Sequence, residues 1–275
     1  TWVVSKVNRT TPNGLLRATL SQTEFNPVTD YIEVDDDGIV VLNGDDDKLA
    51  TVTEVRGIKP VTFGLDAKND FWASDLRSLG LKGTACRIHT PVGDFDATVG
   101  MPGKHMVYNA LAGAAAGVAY GLTLEQIKSG IESNGSLAGR FNIIDTERYT
   151  IIDDCYNANP VSMKASLEVL QDGANRRVAI LGDMGELGTD ERALHAGVGT
   201  YAAGLDLDAI YCAGPLCEAL VQAAVDGGFK GEVKHYATRD ELMAALPALL
   251  KQGDTILVKA SHFMQYPAIV EMLQK

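Results

Sequence analysis

Beyond about residue 141, the chain alternates short apolar runs with longer stretches in which apolar residues recur at helical spacing. The apolar runs predict strands at residues 149–153, 178–181, 209–212 and 255–258, with a weaker strand at 233–236. The intervening stretches predict helices at residues 162–171, 187–203, 216–225, 239–249 and 267–273. This alternation predicts an α/β fold with a mostly parallel, doubly wound sheet.

The pattern before residue 141 is less regular. An apolar run at residues 39–42 predicts a buried strand, which the polar turn at 43–47 ends, and residues 61–63 predict a second strand. Residues 84–99 alternate in two halves around Pro91-Val92-Gly93, which predicts an antiparallel hairpin. A helix rich in Ala and Gly is predicted from residue 106 to 120, with Thr123 as the N-cap of the next helix. Residues 1–34 show no sustained period and predict no element.

The change of pattern after Gly139-Arg140-Phe141 predicts two domains, residues 1–141 and 142–275. With 275 residues, of which 46% are hydrophobic, the chain is long enough for two domains with buried cores. In the second domain the run at residues 255–258 is apolar throughout, so we expect that strand to be central and buried.

The charge and cysteine content narrow the class of protein. A formal net charge of -12 argues against a general nucleic-acid-binding protein but leaves room for a local nucleotide site. The four cysteines form no CxxC pair, which is typical of reduced cytosolic residues and argues against a zinc site. No apolar run reaches the length of a membrane span, and no secretory signal opens the chain, so we expect a soluble, cytoplasmic protein with no membrane partner.

Polar side chains follow three of the predicted strands. The densest group lies at residues 153–159, and two others lie at 182–186 and 259–262. Ligands of parallel α/β sheets bind outside the carboxyl ends of the strands, so these groups together predict a shared ligand crevice. The alternative is that each group only satisfies a turn, with Lys259 solvated and Ser261 capping a helix.

A second candidate site lies at the amino end of the helix predicted at residues 106–120. Lys104 and His105 stand there, where unpaired N–H groups and the helix dipole favour an anion. The alternative is that His105 only caps the helix.

Five stretches of the chain resemble the motifs of one family. They are VLNGDD at residues 41–46, GKHMVYNA at 103–110, DDCYNANP at 153–160, LGDMGELG at 181–188 and VKASH at 258–262. In content and order they resemble the Mur ligase family, and within it the ligases that add D-alanyl-D-alanine to UDP-N-acetylmuramoyl-tripeptide. The resemblance implies that residues 1–141 hold part of a central ATPase domain, with 1–34 unassigned, and that residues 142–275 form a Rossmann-like C-terminal domain.

The resemblance also implies a reaction. Mur ligases use ATP and Mg²⁺ to phosphorylate a substrate carboxylate, and the amine of the second substrate attacks the acyl phosphate to form an amide bond. The expected role is peptidoglycan precursor synthesis, and through it cell wall biogenesis, cell shape and cell division. The expected partners are UDP-N-acetylmuramoyl-tripeptide and D-alanyl-D-alanine, with no nucleic acid, and the expected state is a monomer.

Roles carried over from the family fall on ten residues. The residues implied for ATP are His105, Asn109, Arg140, Asp154 and Tyr156. The residues implied for the side that faces the incoming amine and its dipeptide are Asn157, Asn159, Lys259, Ser261 and His262. The chemistry suits these roles, since a carboxylate accepts from ribose hydroxyls and a guanidinium forks onto phosphate oxygens. No catalytic residue and no metal ligand is assigned.

The chain departs from the family pattern in four respects. It contains no glycine-rich loop ending in GKT or GKS and no match to the magnesium-binding segments. Met106 replaces an asparagine, and Pro267 lies about where a glutamate is often found. Because phosphoryl transfer depends on such a loop, we expect this chain alone to be inactive. The alternatives are a non-catalytic fragment that binds nucleotide or substrate, and a related ligase such as a folylpolyglutamate synthetase relative.

Overall fold

The structure is a computed structural model that describes residues 2–8, 17–22, 38–133 and 139–275. Its contacts divide the chain into two compact units. The first comprises Thr1–Leu79, Gly83–Gly100 and Lys104–Asn134, and the second comprises Gly80–Lys82, Met101–Gly103 and Gly135–Lys275. The continuous part of the second unit thus begins ahead of the domain boundary predicted near residue 141. None of the helices in the described ranges combines the length and apolarity needed to cross a bilayer.

The first unit contains seven described strands and two described helices. The strands are β1 (Trp2–Asn8), β2 (Arg17–Gln22), β3 (Val41–Asn43), β4 (Val61–Gly64), β5 (Phe71–Ser78), β6 (Thr84–Thr90) and β7 (Gly93–Val99). They are followed by helices α1 (His105–Ala119) and α2 (Leu124–Ser133). β1 and β2 pair antiparallel, and the other five form one sheet in the order β3-β4-β5-β6-β7.

Several predictions for this unit are confirmed and three are corrected. The hairpin at residues 84–99 is β6 and β7, and Gln126 N donates to the hydroxyl of the predicted N-cap Thr123 (3.3 Å). The strand predicted at residues 39–42 begins only at Val41, and the pattern missed β1 and β2 in the stretch where no element was predicted. It also missed β5, because a bulge at Asp75, with φ of 54°, breaks the alternation of that strand.

The second unit contains six strands and five helices among the described residues. They run as β8 (Asn142–Asp145), β9 (Thr150–Asp153), α3 (Pro160–Gln171), β10 (Arg177–Gly182), α4 (Glu191–Ala203), β11 (Ala209–Ala213), α5 (Cys217–Asp226), β12 (Glu232–Tyr236), α6 (Arg239–Leu249), β13 (Thr255–Lys259) and α7 (Pro267–Leu273). The sheet order is β12-β11-β10-β13-β9-β8, and every pair is parallel except β8 with β9. The predicted doubly wound α/β sheet is therefore confirmed.

The predicted central strand is also confirmed. β13 lies between β10 and β9, and all five of its residues are buried. Leu257 packs into the core on one face of the sheet, whereas Ile256 and Val258 pack into the core on the other. A strand covered on both faces has no solvent side, which explains its unbroken apolar run.

Two predictions for this unit are corrected, one helix start and one strand that was missed. The helix predicted from residue 187 begins at Glu191, because residues 188–190 form a 3-10 turn that starts at Gly188 with a φ of 71°. The edge strand β8 was not predicted, since none of its four residues is fully buried and only two have apolar side chains. The carboxyl ends of β9, β13 and β10 are neighbours, which sets the position of the candidate site.

Candidate functional site at the carboxyl edge of the second unit

The loops that follow β9, β13 and β10 are joined to one another by hydrogen bonds. Asp154 N donates to Val258 O (3.0 Å), at the end of the neighbouring strand. Ser261 N donates to Asp183 O (3.1 Å), and Gly185 N donates to Ser261 Oγ (2.8 Å). The structure therefore brings the three polar stretches together, as the strand pattern predicted.

A buried ion pair lies at the centre of this edge. Lys259 Nζ lies 2.6 Å from Asp154 Oδ2, and the two residues are only 2% and 6% exposed. The same ammonium donates to Asn157 O (3.1 Å) and Asp154 O (3.4 Å). The alternative in which Lys259 is a solvated loop residue is therefore wrong.

The carboxylate of Asp154 has two further partners. Its Oδ2 accepts from Ser166 Oγ (2.7 Å), and its Oδ1 accepts from Phe141 N (3.3 Å). Phe141 N and Ser166 belong to different segments, so the carboxylate links the chain before β8 to helix α3. The ribose contact implied for Asp154 stays a prediction, and the structure shows that this carboxylate also has a structural role.

Ser261 joins two loops through its hydroxyl group. Besides accepting from Gly185 N, it donates to Ala158 O (3.3 Å), and the residue is 4% exposed. It makes no side-chain cap to the 3-10 turn that follows it, so the helix-cap alternative is wrong. Its predicted contact with a dipeptide stays a prediction.

The exposed groups of this edge are an aromatic ring and two basic side chains. Tyr156 is 51% exposed, and the Arg140 guanidinium carbon lies 4.3 Å from the centroid of its ring. The His262 ring lies 6.1 Å from the Tyr156 ring, centroid to centroid. A cation on the face of an exposed ring makes a cation–π contact and leaves its N–H donors facing water. The set can therefore receive an anionic or aromatic ligand.

Two carboxamides complete the loop after β9. Asn159 is the N-cap of α3: its Oδ1 accepts from Ser162 N (2.8 Å), and Ser162 Oγ accepts from Asn159 N (3.1 Å). This reciprocal capping box fixes the start of the helix. Asn157 is exposed, and its Oδ1 accepts from Ala158 N (2.8 Å). The side-chain oxygens of both residues are engaged locally, and their predicted substrate contacts stay predictions.

The structure shows one polar residue whose role the sequence did not indicate. Asp183 is 3% exposed, and its carboxylate accepts from Cys217 N (2.8 Å) and Leu216 N (3.3 Å) at the amino end of α5. Gly214, with a φ of 120°, passes so close that a Cβ there would lie 2.4 Å from Asp183 Oδ1. A signal was present in the sequence, since Asp183 follows a buried strand directly.

In the first unit, His105 and Asn109 lie one turn apart at the start of α1. Asn109 Nδ2 lies 3.5 Å from Met106 Sδ, the side chain that stands where the family has an asparagine. Between them on the helix, Tyr108 donates its hydroxyl hydrogen to Asp45 Oδ2 (3.0 Å). The placement of His105 and Asn109 on one helix end fits a common ligand, and their roles stay predictions.

Asp45 is held as an acceptor by its neighbours. Its carboxylate also accepts from Leu65 N (2.6 Å) and from Asn69 Nδ2 (2.8 Å). Burial alone would raise the pKa of Asp45, but these hydrogen bonds and the one from Tyr108 lower it below its usual value. Burial and the bond to Asp45 raise the pKa of Tyr108 to about 12.

This pair predicts a loss of stability at high pH. An unfolded tyrosine loses its proton near pH 10, whereas folded Tyr108 keeps it until about 12. Its contribution is therefore complete below about pH 10 and is lost as the pH rises towards the folded pKa. Urea unfolding across this range should show a shallower fall for Tyr108→Phe than for the parent protein. Equal slopes would contradict the prediction.

Comparison with known proteins identifies the family. The sequence-family model of the Mur ligase middle domain matches residues 32–117. The sequence-family model of the Mur ligase glutamate ligase domain matches residues 139–262. Together the two matches cover most of the chain in the order in which the resemblance placed them. The chain belongs to the Mur ligase family.

Several of the proteins to which the chain is similar are ligases that carry one name. The chain is 34% identical over 245 residues to a UDP-N-acetylmuramoyl-tripeptide--D-alanyl-D-alanine ligase of Escherichia coli (strain K12), covering 87% of this chain and 53% of the relative. A crystal structure of MurF from Acinetobacter baumannii superposes with a TM-score of 0.77 at 30% identity, over 86% of this chain and 51% of that chain. The chain thus spans about half the length of the relatives that it matches.

The fold is shared more widely among ligases. A folylpolyglutamate synthase from Thermotoga maritima matches over 79% of this chain and 49% of that chain, with a TM-score of 0.53 and 17% identity. An identity this low shows the fold alone. The exposed Tyr156 and the loop from Asp153 to Pro160 both lie inside the matched C-terminal domain.

Proposed function

We propose that this chain is the middle and C-terminal part of an ATP-dependent ligase that joins D-alanyl-D-alanine to UDP-N-acetylmuramoyl-tripeptide. The support is the 34% identity to a ligase of that name, together with a matched order of two Mur ligase domains. On this proposal the protein acts in peptidoglycan synthesis, and so in cell shape and division. The same proposal places it in the cytoplasm as a monomer, with no nucleic-acid or membrane partner.

The observation that carries the proposal is that exposed side chains and a buried ion pair lie together at the carboxyl edge of the sheet. Arg140, Tyr156 and His262 face solvent, while Lys259 and Asp154 beneath them are closed off from it. A guanidinium that is already oriented against a ring can take phosphate oxygens without first being ordered. ATP supplies the phosphoryl group that activates the substrate carboxylate. Arg140 would hold a phosphate, and Tyr156 would contact the ribose region.

The remaining expected contacts divide between the two ligands. Asn109 would contact the adenine side of ATP, and His105 would also serve the nucleotide. Asn157, Asn159 and His262 would face the dipeptide. Mg²⁺ is implied by the family, but the described residues offer no cluster of three or more His, Cys, Asp or Glu that could hold a metal. We therefore assign no protein ligand to the magnesium ion.

The proposal is tested on the full-length protein that contains this chain. Phosphate release from ATP should require both the tripeptide substrate and D-alanyl-D-alanine, and should be absent with either alone. Release without either peptide substrate, or no release with both, would contradict the ligase function and favour a non-catalytic binding role.

Arg140→Ala is expected to raise the KM for ATP by roughly tenfold or more, because a charged hydrogen bond contributes about 1.5–3 kcal/mol. Arg148 provides a matched control. It also lies over an aromatic ring, with its guanidinium carbon 5.0 Å from the Tyr149 centroid, but it is in the turn between β8 and β9, before the strand rather than after it. Arg148→Ala should leave the KM for ATP unchanged. An equal effect of the two substitutions would remove Arg140 from the nucleotide site.

A further inference from the structure

Lys259 has no donor left for a ligand. A lysine ammonium carries three N–H donors and no acceptor. Three acceptors lie within hydrogen-bond distance of Nζ: Asp154 Oδ2 at 2.6 Å, Asn157 O at 3.1 Å and Asp154 O at 3.4 Å. A substrate carboxylate would have to displace one of them inside a site where the lysine is 2% exposed.

The three acceptors belong to one short segment. Two of them are on Asp154 and the third is on Asn157, so the ammonium spans residues 154–157 and fixes both ends of that stretch. Just beyond it, Ser261 Oγ donates to Ala158 O (3.3 Å). Both anchors come from the end of β13, which is the buried central strand of the sheet. The segment is therefore attached to the buried central strand of the sheet.

The side chains that this segment presents are exposed. Tyr156, between the two anchored residues, is 51% exposed. Its backbone N–H donates to Gly139 O (2.9 Å), which places Arg140 beside its ring. A change in the conformation of residues 154–157 would therefore move both the ring and the guanidinium.

We propose that Lys259 is a positioning residue, which holds residues 154–157 in the conformation that presents Tyr156 and Arg140 to the nucleotide and contacts neither substrate itself. The inference rests on the proposed function for the identity of the ligand. It replaces the contact with the dipeptide that the sequence implied for Lys259. Burial of a charged pair is costly, and it is retained here in a place where it fixes the geometry of an exposed loop.

The first test measures hydrogen exchange in full-length protein carrying Lys259→Met, which keeps most of the length of the side chain and removes its charge. The backbone amides of Asp154 and Tyr156 should exchange at least tenfold faster, while those of β11 stay protected. Lys234→Met is the control, because Lys234 forms an ion pair with Glu232 (2.7 Å) on the edge strand β12, and it should leave both amides unchanged. Unchanged exchange at Asp154 and Tyr156 in a folded Lys259→Met protein would overturn the proposal.

The second test measures ligand affinity by calorimetry. Lys259→Met should weaken ATP binding at least fivefold, and the affinity for D-alanyl-D-alanine should change no more than it does in the Lys234→Met control. Weaker binding of D-alanyl-D-alanine alone, with normal exchange, would show that Lys259 is a substrate ligand. Faster exchange with unchanged ATP affinity would show a structural role only, and would equally overturn the positioning role.

The tests still decide the question if the parent protein binds no ATP or if the Lys259→Met protein does not fold. If the parent protein binds no ATP, the proposed function fails, and the exchange measurement still decides whether Lys259 fixes the segment. If Lys259→Met does not fold, Ser261→Ala removes the neighbouring anchor without burying an unpaired charge. The Gly185 amide, which loses Ser261 Oγ as its acceptor, should then exchange faster, and the ATP affinity should fall. A Ser261→Ala protein with normal exchange and affinity would overturn the model of a segment anchored from β13.

Discussion

Asp154→Ala should lower the free energy of unfolding by about 3–5 kcal/mol, because it leaves the Lys259 ammonium buried without its counter-charge. The pair is separated by 2.6 Å, and neither partner is more than 6% exposed, so solvent cannot replace the lost carboxylate. The substitution also removes the acceptor of Ser166 Oγ (2.7 Å). Urea unfolding followed by circular dichroism measures the change.

Asp145→Ala provides the control for this result. Asp145, the last residue of β8, accepts from Thr150 Oγ1 (2.8 Å) at the start of β9, and this hydrogen bond is exposed. Its loss should lower the free energy of unfolding by less than about 1 kcal/mol. The double variant Asp154→Ala with Lys259→Met should lose less than the sum of the two single changes, since the groups are in direct contact. Normal stability with a raised KM for ATP would instead establish Asp154 as a ribose ligand and contradict its structural role.

Gly214→Ala is the second substitution with a large expected effect. Its φ of 120° lies in a region that is open mainly to glycine, which costs an alanine about 1–3 kcal/mol. The new Cβ would in addition lie 2.4 Å from Asp183 Oδ1, and overpacking of this kind costs about 1–3 kcal/mol more. Thermal unfolding should therefore show a clear fall in the midpoint.

Gly188→Ala separates the two causes. Gly188 also has a positive φ, 71°, but no atom lies within 4 Å of the position that a Cβ would take. It should show only the backbone part of the loss. If Gly214→Ala is no worse than Gly188→Ala, then Asp183 moves aside freely and its contact with α5 contributes little.

The sequence predicted the second unit well because each strand and helix has a local signal. The apolar run in β13 predicts a strand without any other information, and burial on both faces of the sheet explains why the run is unbroken. β8 and β5 were missed for a physical reason: β8 is a short edge strand with little to bury, and β5 is broken by the bulge at Asp75. Local pattern is weak wherever burial is partial or the register shifts.

The candidate site was located by sequence, but the roles within it were not. Polar groups after three strands predicted the carboxyl edge, and those strands are neighbours in the sheet. Whether a given side chain faces solvent or a partner depends on contacts between segments that are far apart along the chain. Asp154 and Lys259 are 105 residues apart, and they meet only because β13 returns between β10 and β9. No local pattern contains that pairing.

The contact between Asp183 and α5 has a consequence for where this Mur ligase can bind phosphate. The first turn of a helix in a doubly wound sheet offers free N–H groups and a positive dipole end to an anion. Here the protein's own carboxylate already occupies that position and accepts from Leu216 N and Cys217 N. An incoming phosphate would meet a like charge and two donors already in use. The C-terminal domain therefore has the architecture of a nucleotide-binding fold with this phosphate position closed from within.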